Sequence, residues 1–117
     1  MQPDEADAAH LWDMLEYARE AVRIASETDL SAYSRDRTLQ LAMERALEIV
    51  GEAARKVSKE FRDTHPDIPW RRIIAHRHVL AHEYGDIRQE RLWETATVHA
   101  PELIRFLERF VSESGPS

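Results

Sequence analysis

Apolar residues recur at steps of three and four along most of the chain, the spacing that places them on one face of an α-helix. The first stripe lies within residues 5–27 and consists of Leu11, Leu15, Ala18, Val22 and Ala25. The second stripe consists of Leu39, Met43, Ala46, Val50, Ala53, Val57 and Phe61. Together they predict two long amphipathic helices that pack as an antiparallel hairpin.

Capping residues and prolines set the expected limits of the next elements. Ser34 ends the linker ETDLSAYS and is a suitable N-cap for the second helix, which we expect to run unbroken to about residue 63. Pro66 cannot continue that helix, whereas Pro69 suits the first turn of another. A third helix is therefore predicted over residues 70–84.

A fourth helix is predicted from about residue 89, with a bend at Pro101. Its apolar stripe is Leu92, Trp93, Ala96, Ala100, Leu103, Leu107 and Phe110. No strand pattern appears, so the expected fold is all-α, an up-and-down bundle of four to five helices. We expect residues 1–112 to form this single domain and residues 113–117 to be a frayed tail.

Composition limits the chemistry that the chain can carry. There is no cysteine, which excludes disulfides, thiolate catalysis and cysteine-ligated metal sites. The N-terminus lacks the basic start and apolar run of a signal peptide, and no apolar stretch approaches the roughly 20 residues of a membrane span. We therefore expect a cytoplasmic protein.

Positive charge is concentrated in one part of an otherwise acidic chain. The formal net charge is −6, which argues against a protein that coats nucleic acid along its whole surface. Between Arg71 and Arg91, however, five arginines stand against three acids, so this window carries +2 and the rest of the chain −8. A local site for an anion is therefore compatible with the sequence.

The stretch HRHVLAHEYG, residues 76–85, lies in that window and contains three of the six histidines. Four interpretations compete: a metal site, a nucleotide site, a nuclease site, and a polar helix end without chemistry. His78 and His82 share a helix face and suit zinc, but a zinc site needs three or four ligands. Glu83 or His76 would have to complete it. Histidines are also common at helix C-termini, because the helix dipole favours them there.

The nuclease interpretation rests on Arg77 and His82. Cleaving RNA without a metal requires one group to take the proton of the ribose 2′-hydroxyl, another to protonate the leaving oxygen, and a cation for the phosphate. Histidine titrates near neutral pH, and arginine presents a charged planar fork to phosphate oxygens. Each chain supplies a single His82 at this position, so a two-fold dimer would complete the set.

Three segments of the chain carry a recognisable combination of features: RALEIVGEAARKVSKEF, HPDIPWRRIIAHRHVLAHEYGDI and LWETATVHAPELIRFLERF. Within the second segment, Arg77, His82 and Tyr84 form an R-x4-H-x-Y motif. Together these segments resemble the HepT family of HEPN-domain ribonuclease toxins. The similarity covers nearly the whole chain and is strongest from about residue 45 to residue 110.

That resemblance implies an all-α, HEPN-like homodimer with a metal-independent endoribonuclease cleft at its interface and no cofactor. It implies that Arg77 and His82 are the catalytic residues. It also implies a cognate antitoxin, the minimal nucleotidyltransferase MntA, which neutralises family toxins by transferring AMP to the motif tyrosine, here Tyr84. Because Tyr84 lies two positions past His82, the added phosphodiester would compete with RNA for the same cations.

Other residues extend these expectations. Arg71, Arg72 and Arg88 are candidates for steering RNA phosphates toward the cleft. His78 stands where the family most often has asparagine, and it is either a supporting proton-transfer or orienting group or a sign of lost activity. The alternative to a nuclease is a non-catalytic HEPN module that holds a nucleotidyltransferase or a nucleotide.

Overall fold

The computed structural model describes residues 3–75 and 88–111, and all regular structure in those ranges is helical. The elements are α1 (Glu5–Ser26), α2 (Leu30–Tyr33), α3 (Arg37–Lys56), α4 (Lys59–Thr64), the described part of α5 (residues 70–75), α6 (Gln89–Glu94), a π-helical segment (Thr95–His99) and α7 (Ala100–Leu107). The all-α prediction is confirmed for this part of the chain. No helix within the same ranges has the length and apolar character needed to span a membrane.

Helices α1 and α3 form the predicted antiparallel hairpin. Leu11 and Leu15, in the first half of α1, share a buried cluster with Val50, in the second half of α3. Ile24, near the end of α1, shares a second cluster with Met43, near the start of α3. The two helices therefore pack along their lengths in opposite directions, as their apolar stripes indicate.

The last helical stretch, from α6 through α7, packs on the other side of α1. Leu92 and Ala96 join the cluster at the end of α1, whereas Leu103 and Leu107 join the cluster at its start. This stretch therefore runs antiparallel to α1. Burial of all four side chains against α1 and α3 makes α1 the central helix of the core.

The predicted N-cap at Ser34 is wrong. The linker forms the short helix α2, which Ser34 ends, and α3 begins after Asp36. The carboxylate of Asp36 accepts a hydrogen bond from the backbone N–H of Leu39 at 3.1 Å, and Asp29 caps α2 in the same way. Two aspartates thus cap two helices within the linker, where a single serine cap was expected.

The second helix does not run unbroken to residue 63, because the chain leaves helical geometry at Val57 and restarts at α4. Ser58 caps α4 by accepting from the backbone N–H of Phe61 at 3.1 Å. Asp7 of α1 holds this break: its carboxylate accepts from the Ser58 backbone N–H at 2.8 Å and from the Ser58 hydroxyl at 2.6 Å. Val57 and Phe61 stay buried, so the apolar spacing concealed the interruption.

The disturbance predicted at Pro101 takes the form of the π-helical segment immediately before it. Proline has no N–H to donate, and its ring clashes with the carbonyl four residues earlier, here that of Thr97. The helix widens instead, and the Ala100 N–H bonds the Thr95 carbonyl five residues back. Ala96 and Ala100 remain buried across the π-helical segment.

We predict that Asp7→Ala lowers the free energy of unfolding by about 1–3 kcal/mol, because it leaves the Ser58 backbone N–H without its buried acceptor. Urea denaturation followed by circular dichroism measures the change. Glu16→Ala, an exposed acid on the same helix, is the control and is expected to change stability by less than about 0.5 kcal/mol. Equal effects of the two substitutions would show that the Asp7 contact contributes nothing.

Candidate functional site

The predicted motif falls between the two described ranges. Outside the described residues lie Arg77, His78, His82 and Tyr84, together with the other potential metal ligands His76 and Glu83. What the structure shows is how the chain is held directly before and directly after them. It also shows a groove that begins at the residues preceding the motif.

Before the motif, Trp70 anchors the start of α5. Its indole Nε1–H donates to the His65 carbonyl at 3.0 Å, and its ring meets Phe61 edge-on at 6.3 Å between centroids. Trp70 is buried, whereas Arg71 and Arg72, which follow it, are exposed. The first turn of α5 therefore has one side fixed in the core and two cations in solvent.

After the motif, Gln89 anchors the start of α6 through a chain of hydrogen bonds. Its amide oxygen accepts from the hydroxyl of Tyr33 at 2.5 Å, and its amide nitrogen donates to the carboxylate of Glu44 at 2.7 Å. The same Glu44 carboxylate also accepts from Arg37 at 3.0 Å. This network joins helices α2, α3 and α6 next to Arg88, the first residue of the second described range.

The protonation state of Tyr33 suits its place in this network. Tyr33 is fully buried, and burial, followed by the negative charge of Glu44, raises the pKa of its hydroxyl well above the usual range. The hydroxyl therefore keeps its proton and acts as a donor to Gln89 at any physiological pH. Trp93 covers the Tyr33 ring at 5.3 Å between centroids, which completes the anchor.

A groove of about 480 Å³ lies between α5 and the α6–α7 stretch. We call it the α5–α7 groove. Its apolar surface is formed by Ala18, Leu47, Val50, Pro69, Ile73, Ala75, Ala100, Leu103 and Phe106. Its polar surface is formed by Arg72, Arg91, Glu94, Thr95, His99 and Glu102. The floor of the groove, where α1 and α3 contribute, is thus apolar, and its sides, where α5 faces α6 and α7, carry both apolar and charged side chains.

Two of the lining cations have no ion-pair partner among the residues that the structure describes. These are Arg72 and Arg91, both exposed. Of the arginines predicted to steer phosphates, the structure brings Arg72 into the groove; Arg71 and Arg88 are exposed but do not line it. Arg91 is one of the five arginines of the positive window in the sequence, but it received no role there. In the structure Arg91 lines the groove together with Arg72.

The remaining polar lining residues received no role from the sequence. His99 lies with its Nε2 at 3.6 Å from a carboxylate oxygen of Glu94, a contact that becomes an ion pair when the imidazole is protonated. Glu102 has no hydrogen-bond or ion-pair partner within the described ranges. A detectable signal did exist, since Arg91, Thr95, His99, Glu102 and Phe106 are spaced by four, four, three and four and form a second stripe beside the apolar one.

The described residues contain no group of three or more histidine, aspartate or glutamate side chains that could hold a metal ion. The histidines considered for zinc in the sequence are outside these residues. The described part of the site therefore consists of two arginines, two glutamates, Thr95, His99 and apolar side chains.

The described residues form an all-helical fold with an arginine-bearing groove, and a histidine-rich segment follows the groove residue Ala75 in the sequence. The family model described as "Ribonuclease HepT-like" matches residues 14–110. This chain belongs to the HepT-like ribonuclease family. Its predicted membership is confirmed, and the matched range contains Arg77, His82 and Tyr84.

Individual relatives agree with that assignment. A protein of Thermococcus cleftensis named "Probable ribonuclease HepT" is 35% identical over 95 residues, covering 78% of this chain and 86% of the relative. A "Putative RNase" of Caldanaerobacter subterraneus subsp. tengcongensis is 37% identical over 94 residues, covering 80% and 81%. Another "Putative RNase", from Methanocaldococcus jannaschii, is 31% identical over 100 residues, covering 86% and 92%. No solved structure is significantly similar to the chain.

We predict that Tyr33→Phe and Gln89→Leu each lower the free energy of unfolding by about 0.5–1.5 kcal/mol, and that the double variant loses less than the sum. Each substitution breaks the hydrogen bond between the two side chains, so the second removes nothing further from that contact. Denaturant unfolding of the four proteins gives the coupling energy.

Tyr17→Phe is the matched control for this cycle. Tyr17 is half-buried, and its hydroxyl has no hydrogen-bond partner among the described residues. Its loss should change stability by less than about 0.5 kcal/mol. Strictly additive effects of Tyr33→Phe and Gln89→Leu would show that the 2.5 Å contact does not couple α2 to α6.

Proposed function

We propose that this chain is the toxin of a HepT/MntA-type toxin–antitoxin system of the type VII kind. Its activity is metal-independent endonucleolytic cleavage of RNA, and transfer of AMP to Tyr84 by a nucleotidyltransferase antitoxin neutralises it. The observation that carries the proposal is the family match over residues 14–110, within which Arg77, His82 and Tyr84 form the R-x4-H-x-Y motif.

The chemistry of the motif is sufficient for RNA cleavage. The 2′-hydroxyl of a ribose attacks the adjacent phosphorus while the bond from phosphorus to the 5′-oxygen of the next nucleotide breaks. His82 takes the proton of the attacking hydroxyl or returns one to the leaving oxygen, and Arg77 neutralises the charge that grows on the phosphate. A cyclic phosphate and a free 5′-hydroxyl result.

A homodimer is part of the proposal, because two proton transfers are needed and the motif supplies one histidine per chain at position 82. A two-fold axis that brings two motif segments together would supply the second His82. His78 is the candidate for a supporting group in the same cleft.

The surrounding cations favour an RNA ligand. Arg71 and Arg72 precede the motif, and Arg88 and Arg91 follow it; all four are exposed. None of them has an ion-pair partner among the residues with described positions, so their charge is available to phosphates. The acidic remainder of the chain would disfavour RNA elsewhere and so confine it to this end of the molecule.

Inactivation proceeds by transfer of AMP to Tyr84. The Tyr84 hydroxyl oxygen attacks the α-phosphorus of ATP and loses its proton to solvent, while the bond from the α-phosphorus to the oxygen that bridges it to the β-phosphorus breaks and pyrophosphate leaves. The product is a phosphodiester two residues from His82. Its negative charge would compete with RNA for Arg77, and its adenosine would occupy the space of a nucleotide.

A non-catalytic HEPN module is the second candidate, and His78 favours it. Asparagine is most common at that position in the family, and a histidine there orients a neighbour only in some protonation states. In this version the chain binds the nucleotidyltransferase or a nucleotide and cleaves nothing.

The first test is cleavage by the purified chain. We expect it to fragment RNA in the presence of a chelator, and we expect Arg77→Ala and His82→Ala to reduce the rate by at least about 100-fold. Expression without the antitoxin should arrest growth for the wild type alone. Arg55→Ala and His10→Ala, on α3 and α1, are matched controls expected to retain activity. A wild type that leaves RNA intact would favour the non-catalytic module.

The His82→Ala variant also tests the dimer. If one cleft uses the His82 of both chains, mixing the wild type with an excess of His82→Ala should inactivate the wild type after subunit exchange, because each mixed dimer lacks one of the two histidines. Light scattering should give twice the chain mass. A monomer with full activity would contradict the shared cleft.

The second test is AMP transfer. Incubation with the cognate nucleotidyltransferase and ATP should add the mass of AMP to the chain and abolish cleavage, and Tyr84→Phe should prevent both effects. Mass spectrometry of the intact chain and of its peptides measures the addition. Tyr17→Phe is the control and should be modified like the wild type. A label on another residue would refute the assignment of Tyr84.

A further inference from the structure

The α5–α7 groove combines three features that a nucleotide requires of a binding site. It has apolar walls for a flat nucleobase, carboxylates for the hydrogen-bonding edge of that nucleobase, and two arginines, without an ion-pair partner among the described residues, for the phosphate. We propose that this groove binds one nucleobase of the RNA, beside the scissile bond, and that Glu102 makes it selective for guanine. The proposal rests on the proposed RNA-cleaving function and adds that the chain selects its RNA substrate by a guanine next to the cleaved bond.

The size and walls of the groove fit a single nucleotide. Its volume, about 480 Å³, lies in the range of pockets that hold small ligands, roughly 300–1,000 Å³. Ile73 of α5 and Phe106 of α7 line it, and both are half-buried, so part of each side chain faces the open space. The guanidinium of Arg109 lies 5.1 Å from the centre of the Phe106 ring and does not line the groove, so it steadies the ring from outside. Aromatic faces of this kind are typical platforms for RNA bases.

Arg72 and Arg91 supply the contact for the phosphate. They project from α5 and α6, and no carboxylate among the described residues neutralises either of them. Arginine binds phosphate through two parallel N–H donors, which fixes the orientation of the nucleotide as well as its position. A purely apolar ligand would leave these two charges unused, which favours an anion with an apolar part.

The carboxylates determine which base fits. Glu102 has no partner among the described residues, whereas Glu94 lies 3.6 Å from His99. A carboxylate only accepts hydrogen bonds, so it selects base edges that donate. Guanine offers N1–H and N2–H side by side, adenine and cytosine offer an amino group, and uracil offers one N–H. The groove is therefore expected to bind guanine most tightly and uracil most weakly.

The position of the groove assigns it to the RNA substrate. Ala75 lines the groove and directly precedes residue 76, so Arg77 follows two positions later in the sequence. Under the proposed RNA-cleaving function, a base held here by Arg72 and Arg91 would bind at residues that lie close in sequence to Arg77. The groove would then determine at which sequence the chain cuts.

The test is the sequence at the cleavage site. A randomised RNA library is cut by the wild type, by Glu102→Gln and by Glu90→Gln, and the new ends are sequenced. Glu90 is exposed on α6 outside the groove and is the matched control. We expect guanine to be enriched at one position next to the cut, and Glu102→Gln to lower the guanine-to-uracil ratio there by about fivefold or more. Glu90→Gln should leave the ratio unchanged.

A binding measurement separates failure of this proposal from failure of the nuclease. His82→Ala, with and without Glu102→Gln, is titrated with GMP, AMP, CMP and UMP and followed by NMR, which also shows whether each variant is folded. GMP should bind most tightly and UMP most weakly, with the difference lost in the Glu102→Gln protein. If the wild type cuts no RNA but the chain binds GMP more tightly than UMP, the proposed nuclease activity is refuted and the nucleotide site in the groove is retained.

Three results would overturn the groove assignment. One is cleavage without any base preference. Another is a guanine preference that Glu102→Gln leaves intact. The third is tighter binding of AMP than of GMP, which would identify the groove as an adenylate site serving the modification and not the RNA.

Discussion

Burial of α1 against two other helices is the interaction on which the rest of the structure depends. Leu11, Met14 and Leu15 are inaccessible to solvent, and fully burying a side chain of this size contributes roughly 1.5–3 kcal/mol. Because α3 covers one side of α1 and the α6–α7 stretch covers another, no pair of helices alone would complete the core. The polar contacts of the molecule add to this frame, by which we mean the packing of α1 against α3 and the α6–α7 stretch.

The frame also controls where the chain enters and leaves the motif segment. Trp70 is tied to the turn after α4, and Gln89 is tied to Tyr33 and Glu44 on the α2–α3 side. These anchors lie on either side of residues 76–87 in the sequence, so the chain is fixed in the core shortly before and shortly after that segment.

Much of the fold could be predicted from periodicity, and the exceptions have physical causes. The stripes correctly identified the buried faces of α1 and α3 and of the last helix, because burial and helical spacing are directly linked. The N-cap at Ser34 was wrong because Asp36 is a competing cap two residues later. The break at Val57 was missed because its cause, Asp7, is 51 residues away in sequence. Local patterns cannot report such a contact.

For the candidate site, the sequence by itself determined the motif of Arg77, His82 and Tyr84 and the family to which the chain belongs. Both depend on residue identity and local spacing. Only the tertiary structure decided that Arg72 of α5 faces Arg91 of α6 and Glu102 of α7 across one groove. The physical reason is packing between segments far apart in sequence: Trp70 of α5 and Leu103 of α7 share one buried cluster with Leu11 of α1. No local stretch of sequence contains those contacts.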